Sequence, residues 1–290
     1  MPHIFHPTDF SPASDVAFVH ALKLALASTG SLTIFHYARA DGDVDDIHGF
    51  PGVRDTLTRW GLLPPNSPRE AVGSTLGLHI RKVEVGGDDP TDAILDYVGH
   101  HPADLIVLAT HQRAGAARWL HREVALPVAR RSALPALFVP PDAEGFVDPG
   151  TGEVRLRRML MPIDRHPHPR LAIELVSTIV EVLAAAPAAA ELLHIGTAAT
   201  MPRVHVPEGD GVTWTTRLTE GDVLEEILKA EIAGEIDLLV LPTDGRHGFL
   251  DALRGSTTEQ VVRRARCPVL AVPANAGGSV DAEVAHDERV

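Results

Sequence analysis

Cysteine and aromatic residues are scarce in this chain of 290 residues. A single cysteine, Cys267, excludes an internal disulfide framework and is typical of a protein from a reducing compartment. Because Cys267 directly precedes an apolar run, we expect an inert core thiol rather than a reactive one. Tyrosine, tryptophan and phenylalanine together make up 4% of the residues, but 44% of the residues are hydrophobic, which is ample for a core.

Long apolar runs are also missing. Pro2, His3 and Asp9 interrupt the first residues, so no secretory signal is expected. The most apolar long segment, residues 171–195, contains three glutamates and a proline and is no convincing membrane span. The net charge of −13 argues against electrostatic binding of nucleic acid or an anionic membrane over a broad surface. We therefore predict a cytoplasmic, soluble protein with neither nucleic acid nor membrane as a partner.

The signatures of several enzyme classes are absent as well. The chain has no G-x-S-x-G elbow and no glycine-rich loop ending in Gly-Lys-Ser or Gly-Lys-Thr. No pair of acidic residues stands out as a metal-assisted hydrolysis site beyond Asp244, and we assign no catalytic residue. We expect slow catalytic turnover at most. The 16 histidines include close groups at residues 3 and 6, 100 and 101, and 166 and 168, but none has the ligand set of a zinc site. His166 and His168 follow Asp164 and could approach a bound ligand or a metal, but solvated loop histidines are the favoured interpretation there. No metal ligand is assigned.

The chain is an internal repeat of one unit. Five segments of the first half return in the same order in the second. They are HPTD 6–9 and MPID 161–164, IFHY 34–37 and LLHI 192–195, GDDPTDAIL 87–95 and EGDVLEEIL 220–228, DLIVL 104–108 and DLLVL 237–241, and LPAL 134–137 and CPVL 267–270. Each copy alternates strands with helices, which predicts an α/β fold of two tandem, doubly wound parallel sheets.

The first copy has strands predicted at 3–7, 32–36, 79–85, 104–109 and 136–139, with helices at 11–28, 91–99 and 123–132. Its longer middle segment leaves room for an extra helix near residues 52–61, which the second copy lacks. We predict domains at residues 1–141 and 156–274, a linker at 142–155 that is rich in proline and glycine, and a disordered tail at 275–290.

The most informative motif follows the run 236–241. Pro242-Thr243-Asp244-Gly245 is separated by nine residues from Gly255-Ser256, and Ser256 with Glu259 forms a capping box that predicts a helix start. The first amides of such a helix have no partners within it and favour an anion, phosphate above all. A structural cap without a ligand is an equally good explanation of the motif taken alone.

The order of strand, motif, helix and Cys267-Pro268 resembles the universal stress protein family. The family pattern is Gly, two residues, Gly, nine residues, Gly and Ser or Thr. Pro242 replaces its first glycine here, and the other three positions match. The resemblance covers nearly the whole chain. It implies five-stranded sheets of order 3-2-1-4-5 and an adenine nucleotide, ATP or ADP or AMP, alone or with Mg²⁺.

The resemblance also implies which residues bind. An Asp at the end of strand one contacts the adenine end, and residues at the end of strand two line the base and ribose. Carried onto the second copy, the nucleotide-binding set is Pro162, Asp164, Ile195, Pro242, Gly245, Gly255, Ser256, Thr257 and Thr258. Two alternatives remain open. Asp164 could be only a turn or helix-start residue, and His194 could have only a structural role. In the first copy Arg122 and Glu123 replace Gly255 and Ser256, so we expect no binding of the family's kind there.

The sequence leaves three functions open. The favoured one is a stress-response regulator that binds a nucleotide in its second domain, dimerises or pairs its two domains within the chain, and acts on an unknown protein partner. The first alternative is a slow Mg²⁺-dependent ATPase or phosphotransferase. The second is a module that binds a metal or a protein instead of a nucleotide, which Pro242 and the shortened second copy keep open.

Overall fold

The computed structural model describes residues 2–38, 50–110, 124–141, 143, 145–244 and 256–274. In the first half the strands are β1 (His3–Thr8), β2 (Ser31–Ala38), β3 (His79–Gly86), β4 (Leu105–Ala109) and β5 (Ala136–Val139). The helices are α1 (Pro12–Ala27), α2 (Val53–Arg59), α3 (Ala71–Leu76), α4 (Pro90–His100) and α5 (Ala125–Ser132).

The second half repeats this order without counterparts of α2 and α3 among its described residues. Its strands are β6 (Arg158–Pro162), β7 (Ala188–Ile195), β8 (Val212–Thr219), β9 (Leu238–Thr243) and β10 (Val269–Pro273). Its helices are α6 (Arg170–Val182), α7 (Val223–Gly234) and α8 (Thr257–Arg264).

The ten strands form one sheet of order β3-β2-β1-β4-β5-β10-β9-β6-β7-β8. Within each half the paired strands are parallel, and the order within each half is the predicted 3-2-1-4-5, so the predicted fold is confirmed. The halves meet through their last strands, where β5 and β10 pair antiparallel with Leu137 opposite Leu270. The two predicted five-stranded sheets are therefore joined edge to edge within the chain, which covers an edge of each.

Helices cover both faces of the sheet, as a parallel sheet requires. The first core cluster contains buried residues of α1 and α6, together with Val53, Leu57 and Val72 of the α2 and α3 region. The second contains buried residues of α4, α5, α7 and α8. Cys267 lies in this second core, 7% exposed, as its sequence position predicted.

The segment between the halves is packed against the first half. Phe146 and Val147 are buried, and the Phe146 amide donates to His20 Nε2 at 3.0 Å. Trp60 Nε1 donates to the carbonyl of Pro149 at 3.2 Å. Gly152 has φ +69°, and a Cβ there would lie 2.5 Å from the Trp60 ring, so only glycine fits this turn. The segment whose proline and glycine residues predicted a linker is thus a connection packed against the first half.

Two details differ from the sequence-based expectations. The extra helix predicted at 52–61 is present as α2, but a second short helix, α3, follows it. Pro242 lies inside β9 opposite Val272 instead of in the following turn. His6 lies in β1, within the strand predicted at residues 3–7, and has no exposed surface.

No helix in the described part of the chain combines the length and the apolar character needed to cross a lipid bilayer.

Candidate functional site

Three predicted site residues of the second half lie at one edge of the sheet. Because β6, β7 and β9 are parallel neighbours, their carboxyl ends share that edge. Pro162 is the last residue of β6, Ile195 the last of β7, and Pro242 the last but one of β9. This edge is where ligands bind in doubly wound folds.

Helix α8 begins where the motif predicted a helix start. Ser256 caps it with an extended backbone, φ −63° and ψ 155°, and its Oγ accepts from the Glu259 amide at 3.2 Å. Thr257 and Thr258 are the first two helical residues, and Thr257 is exposed. Glu259 Oε1 accepts from Arg263 at 2.8 Å. Gly245 and Gly255 of the motif lie outside the described residues.

Asp164 is exposed two residues after the end of β6. Its Oδ1 accepts from the Arg165 amide at 2.7 Å, and α6 begins later, at Arg170, without a side-chain cap. The Arg165 guanidinium reaches the Ala199 carbonyl in the connection between β7 and β8. The Asp164 carboxylate is thus not used to cap a helix, and it faces solvent at the sheet edge.

His194, next to the last residue of β7, is buried and bonds to two neighbouring segments. It is 2% exposed, its Nδ1 lies 3.0 Å from the Ile163 carbonyl, and its Nε2 lies 2.9 Å from Thr200 Oγ1. Both ring nitrogens are therefore engaged within the protein, which favours the structural role over direct contact with a ligand. Thr200 carries no signal in the sequence, because only the loop conformation brings it back to His194.

The same edge of the first half is arranged differently. Asp9 Oδ1 accepts from the amide and hydroxyl of Ser11 and from the hydroxyl of Ser14, at the start of α1. Phe10 has φ +58° and stacks on His36 with ring centroids 3.9 Å apart. Phe50 lies against the same Phe10 ring at 5.3 Å. Aromatic side chains thus cover the end of β2 in this half. Arg122 and Glu123, which were predicted to obstruct the phosphate end, lie outside the described residues.

The histidine groups do not form a metal site in the described part of the chain. There, no cluster of three or more His, Cys, Asp or Glu side chains is placed to hold a metal ion. His166 and His168 are exposed, and the His168 Nδ1 accepts from the Arg170 amide at 3.2 Å. His101 stacks on Tyr97 with ring centroids 4.2 Å apart.

Solved structures with similar folds cover almost the whole chain. A universal stress protein from Archaeoglobus fulgidus is 15% identical, with a TM-score of 0.60 over 93% of this chain and 96% of that one. A putative universal stress protein from Pseudomonas aeruginosa is 13% identical, with a TM-score of 0.60 over 94% and 93%. At these identities the likeness concerns the fold alone.

Two sequence comparisons add to this likeness in fold. A curated universal stress protein of Methanocaldococcus jannaschii is 39% identical over 62 residues, which is 21% of this chain and 36% of that protein. The chain thus matches about a third of the length of this relative. The profile of the universal stress protein family matches residues 1–140 and 175–273, well over half of the chain and parts of both halves. The chain belongs to the universal stress protein family.

Proposed function

We propose that the second half of the chain binds one adenine nucleotide, ATP or ADP or AMP, at the carboxyl edge of β6, β7 and β9. The observation that carries the proposal is the start of α8, which Ser256 caps at the point predicted by the motif. The first amides of α8 and its dipole favour an anion there. Phosphate groups are the anions that the resemblance assigns to this position.

The other predicted residues lie where the base and ribose would follow. Asp164 presents an exposed carboxylate, a strong acceptor suited to an amino group such as that of adenine. Ile195 and Pro162, both half-buried, offer apolar contact beside it. Gly245 and Gly255 complete the set as the positions where phosphates approach the backbone most closely. Mg²⁺ would accompany the phosphates, because this cation prefers oxygen ligands.

A single site per chain is the further part of the proposal. In the first half the Asp9 carboxylate bonds to the start of α1, and Phe10 stacks on His36 beside the end of β2. A base could enter only after those side chains move. We assign the first half, residues 1–141, a structural role beside the nucleotide-binding half, residues 156–274, with residues 142–155 as the connection.

The biological role follows from occupancy of that site. A nucleotide that binds one conformation better than another shifts the population between them. We propose that the chain acts as a stress-response regulator in which nucleotide occupancy biases self-association or the choice of a protein partner.

The test is a titration of the purified chain with ATP, ADP and AMP by isothermal calorimetry. Asp164→Ala is compared with Asp88→Ala, which removes an exposed aspartate from the first half. Asp164→Ala should weaken binding about tenfold, the scale of a hydrogen bond to a charged group, and Asp88→Ala should leave it unchanged. Absence of binding in the unaltered chain, or equal effects of the two variants, would overturn the proposed site.

A further inference from the structure

A cavity lies between α5 and α8, beside the paired strands β5 and β10. Its volume is about 320 Å³, within the range of small-molecule sites, and domain junctions are common places for such sites. Ala136, Phe138 and Ala271 of the paired strands line it, and Leu126 and Leu134 of the first half add to the apolar surface. The cavity therefore exists only because the two halves are joined.

Two hydrogen-bond donors line this cavity without a partner. Thr243 at the end of β9 is 4% exposed, and its Oγ1 bonds to nothing in the described part of the chain. Arg130 of α5 has a buried Nε that likewise lacks a partner among the described residues. An arginine Nε–H can only donate, and a threonine hydroxyl can donate. Buried donors of this kind require an acceptor, and no protein group described in the structure supplies it.

The charges around the cavity favour an anion as that acceptor. Arg263 also lines the cavity, but Glu259 accepts from it at 2.8 Å and offsets its charge. Arg130 is left as the uncompensated cation among the described lining residues. Arginine is well suited to hold a carboxylate, because its planar guanidinium matches the carboxylate geometry.

We propose that this cavity binds a small amphipathic carboxylate, with its apolar body on Phe138 and the leucines and its carboxylate between Arg130 and Thr243. The site takes one donor from each half, so its ligand bridges the two halves. Thr258 lines this cavity and also belongs to the proposed nucleotide site, which makes the two sites neighbours. The proposal does not depend on nucleotide binding and is tested without nucleotide.

The probe is octanoate, titrated into the full chain by calorimetry beside 1-octanol and inorganic phosphate. Octanol carries the apolar body without the charge, and phosphate carries the charge without the apolar body. Octanoate should bind with one site per chain and at least about tenfold more tightly than either, because the carboxylate meets two otherwise unpaired buried donors. Equal binding of octanoate and octanol would overturn the proposal, as would no binding of octanoate.

Matched substitutions locate the site. Arg130→Gln is compared with Arg131→Gln, whose arginine is exposed and bonds to Asp92 at 2.8 Å. Thr243→Val is compared with Thr110→Val, because Thr110 holds the equivalent position in the first half and also has an unpartnered buried hydroxyl but does not line the cavity. Arg130→Gln and Thr243→Val should each weaken octanoate binding about tenfold. Unchanged affinity in both, with folding verified by thermal unfolding, would place octanoate elsewhere and contradict the proposal.

Discussion

At the scale of single residues, the buried His6 and His20 make the stability of the fold depend on pH. Burial lowers the pKa of His6 to about 4 and that of His20 to about 4, although the Val107 and Val16 carbonyls that their Nδ1 atoms contact oppose the shift. His20 Nε2 accepts from the Phe146 amide at 3.0 Å, so a proton on that nitrogen would face a donor. The neutral ring of His20 therefore holds the connection between the halves in place.

The stability of the fold should consequently fall on acidification. Well above about pH 6.5 both rings are neutral in the folded and the unfolded chain, and neither adds a pH dependence. Between about pH 6.5 and 4 the unfolded chain takes up protons that the folded chain excludes, which costs up to about 3 kcal/mol for each histidine. Urea unfolding at pH 7 and pH 4.5 measures this loss.

The matched variants are His20→Gln and His100→Gln, the latter at an exposed histidine. His20→Gln should lower stability at pH 7 yet lose less on acidification than the unaltered chain. A pH dependence identical in the unaltered chain and His20→Gln would show that His20 does not titrate as argued.

At the scale of elements, the Glu231 carboxylate holds the turn that precedes β10. Glu231 of α7 is 3% exposed, and its Oε1 accepts from the amides of Arg266 at 2.6 Å and Cys267 at 2.9 Å. Burial, and secondarily Glu231, raises the pKa of the Cys267 thiol. Helix α7 thus holds the turn that leads from α8 into the strand joining the halves.

Glu231→Ala should destabilise the chain by about 3 kcal/mol, because the buried Cys267 amide and the part-buried Arg266 amide lose a charged acceptor. Glu225→Ala on the same helix removes an exposed ion pair with Arg264 at 3.0 Å and should cost less than about 1 kcal/mol. Urea unfolding of both variants measures the difference. Equal losses would mean that the buried bonds of Glu231 contribute no more than a surface pair.

The sequence predicted most elements because their signals are local. The apolar run 136–139 is β5 as predicted, and Ser11, the predicted start of the first helix, caps α1. Helix α3 was missed, since its six residues around Gly73 carry too short a pattern to stand out. The predicted parallel strand order is enough to put Pro162 and Ile195 at one edge of the sheet, because both residues end neighbouring strands. The bond of His194 to Thr200 and the cavity with Arg130 and Thr243 depend on loop and junction geometry, which no local pattern encodes.

At the scale of the whole molecule, the two halves form one continuous sheet. The registers of Val269, Leu270 and Ala271 against Phe138, Leu137 and Ala136 bury the last strand of each half. The connection adds to this coupling, because Trp60 and His20 of the first half hold it. We therefore expect the halves to unfold together.

Tryptophan fluorescence tests this expectation in a Trp119→Phe background. Trp60 then remains in the first half, bonded to Pro149, and Trp214 in the second, bonded to Asp210 at 3.2 Å. Single-tryptophan variants, Trp60→Phe and Trp214→Phe, each followed in urea, should have coincident transitions once corrected for the stability lost in each variant. A two-step transition by circular dichroism in the unaltered chain would contradict cooperative unfolding of the halves.

The central claim, one adenine nucleotide in the second half, is tested most directly by extracting small molecules from freshly purified protein. The extracts are identified by chromatography for the unaltered chain and for Gly255→Glu, which puts a carboxylate where the phosphates would meet the start of α8. The account predicts about one adenine nucleotide per chain, retained on purification or taken up from added ATP, and its loss in Gly255→Glu. A chain that neither carries a nucleotide nor takes up ATP, or a Gly255→Glu variant that binds as well as the unaltered chain, would contradict it.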